Sequence, residues 1–426
     1  MTVEASARYV AVRSLLESFR KNLPLERVLG EPAHGHLNER DRRFVKELVY
    51  GTLRYRLQLD YFLEQVSSRS LHRIDEEVLW ILRITLYQIR FLRVPNHAAV
   101  NEAVHLCRQF KKGSASGFAN ALLRHYLRHT PELPAGEQPD HLAVRFSHPE
   151  WLVRRYLNRY GKAEAWALME RNNTPPDRVV WVNPLKTEVE PFCQRLHQEG
   201  IGTSRVEGLP RAVIVEGENF VQHRLYQHGY CFFMDANSQR VVELPDFSGC
   251  YRIADLCAAP GNKSFILAVR RDPSTQFISS DVNYRRLLEM KERMGLLGIQ
   301  DINLMVQSLD RVPGLAPCFD FVLLDVPCSG IGTIRSNPDI RWKISEDDLL
   351  KFQAKQLMFL HNGFRILRPG GELLYSTCST EPEENSQVID LFLQTQPAAE
   401  RCCEDQAWFS SLLPGDGFYA ARVRRV

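Results

Sequence analysis

Apolar residues recur at three- and four-residue spacings along "ASARYVAVRSLLESF", from Ala5, and "VLWILRITLYQIRFL", from Val78. That period lays one face of a helix on a core. "LNERDRRFVKELVYGTLRYRLQLDYFL" opens on a helix-start signal, with Asn38 three residues ahead of Asp41. Further helices are expected after Pro95, over "PNHAAVNEAVHLCRQF", and along "SASGFANALLRHYLR". Strand-like alternation is missing throughout residues 1–130, which therefore read as an all-α bundle. In "TPELPAGEQPD", from Thr130, three prolines, a glycine and acidic residues follow no period and mark a linker at 131–140.

Residues 141–230 mix the two periods. "PEWLVRRYLNRYG" and "AEAWALMERNN" read as helices, and "RVVWVNPLK" and "AVIVEG" as strands around the helical "EVEPFCQRLHQEG". This is a small α+β unit. "YCFFMDANSQRVVEL" leads into a last domain, 231–426, where short apolar strands alternate with helices from about residue 250: "YRIADLCAAPG", "QFISSDVN", "INLMVQS", "FDFVLLDVPCSG" and "GGELLYSTCST". Such alternation predicts a parallel, doubly wound α/β sheet. Ligands of these sheets bind beyond the carboxyl ends of the strands. Four loops then share one edge: 257–263, the turn after Asp281, 325–333 and 378–385.

Composition narrows the picture. The chain has 426 residues, 44% of them apolar, enough for several cores. No stretch approaches the ~18 apolar residues of a membrane span, and "MTVEASARYV" lacks the basic and apolar regions of a secretory signal. A cytoplasmic protein with no membrane association is expected. Residues 1–130 hold 21 Lys and Arg against 13 Asp and Glu; the remainder holds 33 against 38. A basic front domain on a near-neutral body suits a polyanionic partner, although a solvated helical surface gives the same count. None of the ten cysteines forms a C-x-x-C pair. A metal site and disulfides are therefore not expected. Most free thiols are small buried hydrophobes.

The four loops concentrate the chemistry. "DLCAAPGNKS" offers Gly261 for close approach and a helix start near Asn262, which suits a nucleoside-bearing small molecule. It is neither G-x-G-x-x-G nor a Walker loop, so a nicotinamide dehydrogenase is excluded. Asp281 ends the next strand, where a carboxylate suits a pair of ribose hydroxyls. "LLDVPCSGIGTIRSNPDIRW" sets Asp325 and Cys328 in a glycine-rich loop, and its Arg335, Arg341 and Trp342 suit a phosphate and a stacked base. Cys378 ends the strand of "LLYSTCST". Two thiols and a carboxylate thus converge on a ligand edge, where a thiolate nucleophile needs a polar, partly exposed site.

At these residues the chain resembles the S-adenosylmethionine-dependent RNA cytosine-5 methyltransferases, the NOL1/NOP2/Sun family. "DLCAAPGNKS", "LLDVPCSGIGTIRSNPDIRW", "YSTCSTEPEEN" and "DGFYAARVRR" carry the likeness. "LRITLYQIRFLRVPNHAAVNEAVHLCRQF" and "GFANALLR" resemble a NusB-like helical RNA-binding domain. The resemblance implies three parts: an all-α NusB-like bundle at 1–130, a small α+β RNA-binding subdomain, and a Rossmann-like class I methyltransferase domain at 231–426. It implies methyl transfer to C5 of a cytosine in 16S ribosomal RNA, with the RNA or an assembling small subunit as partner and the protein as a monomer. Cys378 would attack, Cys328 would act in adduct release, and Asp325 and Lys263 would complete the catalytic centre. S-adenosylmethionine would lie on Cys257, Ala258, Ala259, Pro260, Gly261, Asn262 and Lys263, with Asp281 at the ribose, Asp325 nearby and Asp310 on the adenine side. Two features depart from the family pattern: Asn262 stands where a second glycine is common, and Ser308 competes with Asp310 for the adenine side. A non-enzymatic RNA-binding or antitermination factor with a vestigial methyltransferase domain is the alternative.

Overall fold

The computed structural model describes residues 6–30, 37–217, 220–311, 314 and 316–426. The first five residues, on which the reading of the amino terminus partly rests, lie outside these. The chain forms two units: Met1–Thr174 with Asn337–Glu346, and Pro175–Ser336 with Asp347–Val426.

The first unit is helical. Helices Ala7–Arg20, Glu39–Arg54, Arg56–Val66, Glu76–Phe91, Asn96–Gln109 and Ser116–Arg128 follow the periodic segments. Asn38 caps the second of them, its side-chain oxygen accepting from Asp41 N at 2.9 Å. Leu15, Leu48, Leu53, Phe62, Ile81 and Leu82 are fully buried in one core. Arg83 bonds Asp60 through both arms of its guanidinium, at 2.6 and 2.8 Å. Helices Pro139–Phe146 and Glu150–Asn172 belong to the same unit. Leu57 N donates to Ser147 Oγ at 3.0 Å and Gln58 Nε2 to Arg145 O at 3.1 Å, fixing the turn between them to the bundle.

Segment 337–346 corrects the expectation of RNA contacts for "RSNPDIRW". Arg341 is 1% exposed. Its guanidinium donates to Ser147 O at 2.9 Å, Asn173 Oδ1 at 2.8 Å and Asn172 O at 3.0 Å. Trp342 Nε1 donates to Leu53 O at 2.8 Å, and the Arg56 guanidinium lies over its ring. Lys343 Nζ reaches Ser18 Oγ, Leu23 O and Asp339. Both terminal nitrogens of Arg341 are held by acceptors of its own chain, and the indole of Trp342 packs on the bundle core. Arg335 lies in the other unit and pairs with Asp177 at 2.9 Å.

The second unit holds two sheets. In the small one, β1 (Val179–Val182), β2 (Thr203–Arg205), β3 (Ala212–Val215) and β4 (Cys231–Phe233) run in the order β2-β3-β1-β4, all antiparallel. Helix Val189–Gln198 buries Phe192 and Leu196 in the core of this sheet. The large sheet contains β5 (Arg252–Asp255), β6 (Gln276–Asp281), β7 (Ile302–Val306), β8 (Phe319–Asp325), β9 (Leu367–Thr377), β10 (Ala399–Arg401), β11 (Gln406–Trp408) and β12 (Phe418–Arg425). Its order is β10-β12-β9-β8-β5-β6-β7, with β11 paired to β12. The five strands from β7 to β9 are parallel, as the alternation predicts. The sheet is mixed because β12 runs antiparallel to β9, with Tyr419 opposite Thr377. The start of β12 therefore joins the edge where β5, β6, β8 and β9 end.

Arg341 carries the clearest energetic consequence. Its removal leaves several buried carbonyls without a donor, each costing about 1–3 kcal/mol. Arg341→Ala is expected to destabilise the helical unit by about 3 kcal/mol in urea unfolding. Arg154→Ala, which breaks an exposed pair with Glu150, should cost under about 1 kcal/mol. Equal midpoints for the two variants would contradict this placement.

Candidate active site

The loop after β5 is shaped by its neighbours. Gly261 adopts φ +103°, and a Cβ there would lie 2.5 Å from Phe265 Cζ and 2.7 Å from Met290 Cγ, so only glycine fits. Ala258 N donates to Ser280 O and Ala259 N to Asp281 Oδ2. Those two N–H groups are consumed by the end of β6. The donors left to a ligand are those of the first turn of helix Asn262–Arg270, which has no earlier turn to bond. Asn262 departs from glycine for a visible reason. Its Nδ2 donates to Phe233 O at 3.1 Å, and its Oδ1 accepts from Arg293 at 2.8 Å. Arg293 also donates to Pro260 O at 3.1 Å. The side chain thus ties the loop to β4 and to helix Tyr284–Leu297.

Asp281 is oriented by Ala259 N and by Asn283 N, which donates to its Oδ1 at 2.8 Å. Val282 beside it and Val306 at the end of β7 are both more than half exposed. Ser308 and Asp310 follow β7 and line one pocket with Val306, Gln307, Arg311 and Gly314. Ser308 Oγ donates to Asp310 Oδ2 at 2.8 Å.

Lys263 is 9% exposed, yet its ammonium reaches Asp325 Oδ2 at 2.7 Å. Burial opposes its charge, but Asp325 and then Cys378 more than offset that, and its pKa is raised. Asp325 Oδ1 accepts from Ser376 Oγ at 2.6 Å. Phe418, at the start of β12, lies under the ammonium at 5.2 Å. Lys263 and Asp325 form one oriented ion pair at the strand ends, with the lysine buried and the carboxylate partly exposed.

The two thiols meet. Cys328 Sγ and Cys378 Sγ are 3.3 Å apart, both half-buried. The hydrogen bond to Cys378, then burial, pushes the Cys328 thiol well above the usual cysteine range. Behind them, Ser329 N donates to Glu384 Oε1 at 2.7 Å, Ser329 Oγ and Ser379 Oγ both donate to Oε2, and Gln356 Nε2 donates to Oε1 at 3.0 Å. Gly332 N donates to Cys378 O at 3.0 Å and Gly417 N to Gly332 O at 2.7 Å. A Cβ on Gly332 would lie 2.3 Å from Gly417 O and 2.7 Å from Cys378 O. Two glycines are thus required where three loops cross.

The site brings Lys263, Asp325, Cys328 and Cys378 together, with the 257–263 loop and Asp281 along the same edge. Ser308 and Asp310 sit one strand further, beyond β7. Sequence reasoning passed over Asp255, Ser376, Glu384 and Phe418. A signal was present for Glu384: each cysteine is followed by a serine, and an acidic run follows the second. Asp255 ends β5, 1% exposed, with Ser264 Oγ donating to its Oδ2 at 2.6 Å and no partner on Oδ1.

Comparison with known proteins places these features in context. Residues 248–421 match the family model of 16S rRNA methyltransferase RsmB/F, residues 5–128 that of the NusB family, and 148–222 a RsmF/B-like ferredoxin-like domain. Ribosomal RNA small subunit methyltransferase B of Proteus mirabilis is 31% identical over 433 residues, 100% of each chain. A probable ribosomal RNA small subunit methyltransferase B of Coxiella burnetii is 32% identical, covering 85% of each. The crystal structure of a methyltransferase homolog protein from Pyrococcus horikoshii superposes with TM-score 0.60 at 25% identity, over 68% of this chain and 100% of that one.

Burial raises the Asp255 carboxyl from 3.8 to about 7, against the opposing bond from Ser264. The folded chain therefore binds a proton that the unfolded chain has already lost, and stability falls as pH rises between these values. Asp255→Asn removes that loss. Relative to the native chain it should gain about 4 kcal/mol at pH 8 and nothing at pH 4. Thermal unfolding at the two pH values checks this; a pH-independent difference would contradict it.

Proposed function

The chain belongs to the 16S rRNA methyltransferase RsmB/F family, and we infer that it methylates C5 of a cytosine in 16S ribosomal RNA through a covalent cysteine adduct. The observation that carries the reading is the pair of thiols 3.3 Å apart beside the Lys263–Asp325 ion pair. A methyltransferase acting on an already nucleophilic oxygen or nitrogen has no use for two adjacent thiols. Cytosine C5 does, because it is a poor nucleophile until a thiolate adds to C6.

The residues fit S-adenosylmethionine. Gly261 gives the close approach, the first turn of helix Asn262–Arg270 offers N–H donors, and Asp255 Oδ1 is a buried acceptor without a partner. Asp281 suits the ribose hydroxyls, and Val282 with Val306 offers apolar walls. The Ser308–Asp310 turn suits the adenine side. When bound, the cofactor supplies an electrophilic methyl group on a sulfonium.

The target cytosine leaves its stack to reach the thiols. Asp325, held by Lys263 and Ser376, accepts from the cytosine edge. Cys378 adds to C6 as the thiolate, with the Lys263 ammonium favouring negative charge near it. The electron pair of the C5=C6 bond is then free to take the methyl group at C5. Solvent water takes the C5 proton, the C5–H electron pair re-forms the C5=C6 bond, and the C6–S bond breaks to return the Cys378 sulfur as thiolate. Cys328 acts in this release. The helical unit, with the basic balance of residues 1–130, holds the RNA largely through phosphate contacts. No helix among the described residues is long and apolar enough to cross a membrane.

Cys378→Ala should abolish methyl transfer. Cys328→Ala should accumulate a protein–RNA adduct that survives denaturing electrophoresis. A Cys328 variant that keeps full activity and forms no adduct contradicts these roles. RNA affinity should fall about tenfold or more between 50 and 200 mM salt, as phosphate contacts require; salt-independent binding in a filter assay would remove the electrostatic account.

A further inference from the structure

Glu384 is 0% exposed, inside an acidic run that looks solvent-facing in the sequence. Its carboxylate accepts one N–H and one O–H from Ser329, an O–H from Ser379 and an N–H from Gln356. All four donors are neutral. Ser329 directly follows Cys328, and Ser379 directly follows Cys378. The two serine oxygens are themselves 3.3 Å apart, the same separation as the two sulfurs. One buried anion thus grips both cysteine loops at equivalent points. Around it, Tyr375 OH donates to Glu384 O at 2.7 Å, Thr377 Oγ1 to Asn385 Oδ1 at 2.6 Å, and Asn385 Nδ2 to Ser379 O at 3.0 Å. A buried anion with neutral donors is an expensive way to hold two loops together, since apolar packing would serve as well. Its retention calls for something a neutral contact does not supply.

We propose that Glu384 is a positioning residue that sets the two thiols in unlike roles, clamping both loops and keeping Cys328 a protonated donor facing the Cys378 sulfur. The clamp fixes the sulfur–sulfur distance. The charge, on the Cys328 side of the pair, disfavours a second anion there. The groups facing Cys328 are Cys378 and Tyr375 from the β9 side, Glu384 behind, and the Gly330 N–H of its own loop, which opposes them; Lys263 faces Cys378. The cation among these thus serves the attacking sulfur, and the Glu384 carboxylate lies toward the other. Cys328 then presents an S–H to the sulfur that must leave C6, stabilising it as it departs. This rests on the cytosine-5 reading for its catalytic meaning, but the clamp itself is a property of the free protein.

The test reads the thiols directly. Each cysteine is alkylated with iodoacetamide across a pH series, without RNA or cofactor, and quantified by peptide mass spectrometry. Glu384→Gln keeps the shape and removes the charge. It should move the Cys328 alkylation midpoint down by about one pH unit and leave that of Cys378 within a few tenths. The same variant should lower kcat at least tenfold with KM for RNA within twofold. Should Glu384→Gln fail to fold by circular dichroism, the Ser329→Ala/Ser379→Ala double variant releases the clamp and should show the same loss in kcat. An unshifted Cys328 profile in a folded Glu384→Gln variant, or kcat within twofold of native in either variant, overturns the proposal. A shifted profile in a protein whose native form makes no 5-methylcytidine supports the clamp and overturns the reaction reading instead.

Discussion

Parallel pairing of β5, β8 and β9 is the constraint on which the site depends. Asp255 pairs opposite Leu323, and Asp325 opposite Ser376. That register puts Cys328 three residues past one strand end and Cys378 one residue past its neighbour's. It also lets Ser376 bond Asp325, which in turn holds Lys263 from the β5–β6 crossover. A slip of one residue would turn every side chain of a strand to the opposite face and separate the sulfurs. Leu323, Leu324, Leu373, Leu374 and Tyr375 resist such a slip, because all are fully buried on the two faces of the sheet. The apolar core thus sets the distances of the polar edge. β12 adds the last boundary, bringing Gly417 and Phe418 against Gly332 and Lys263.

The helical unit is built on another principle. Its bundle follows helical periodicity, but it is completed by a short segment from the far side of the chain, 337–346, which enters through Arg341, Trp342 and Lys343. Burial lowers the Arg341 pKa to about 9, and the carbonyls of Ser147 and Asn172 with the Asn173 amide oxygen accept hydrogen bonds from its terminal nitrogens. The cysteine loop of Cys328 and this segment are separated by only eight residues of chain. A single stretch of chain therefore carries a thiol of the candidate site at one end and completes the helical bundle at the other.

What could be read in advance follows from physical scale. The bundle, the parallel strands and the shared edge were legible, since each rests on periods repeated over many residues. The strands β2, β4, β10 and β11, three residues each, are too short to show an alternation. Arg341 and Trp342 misled because residue type states what a side chain can bond but not whether its own fold already satisfies it. Asn262 looked like a tolerated departure and is a bonded link to β4 and Arg293. Glu384 was hidden by its company: an acidic run reads as a solvated surface, yet the turn Pro382–Glu384 buries one carboxylate against both serines. The cysteines stood out because few contexts place two thiols at neighbouring strand ends.

The most direct test of the central claim is the identity of the methylated nucleoside. The purified protein would be incubated with methyl-labelled S-adenosylmethionine and either deproteinised 16S ribosomal RNA or small-subunit particles lacking the modification. The RNA would then be digested and its nucleosides separated by chromatography and mass spectrometry. The account predicts label in 5-methylcytidine alone, absent with Cys378→Ala. Label in any other nucleoside, or 5-methylcytidine formed undiminished by Cys378→Ala, would contradict it.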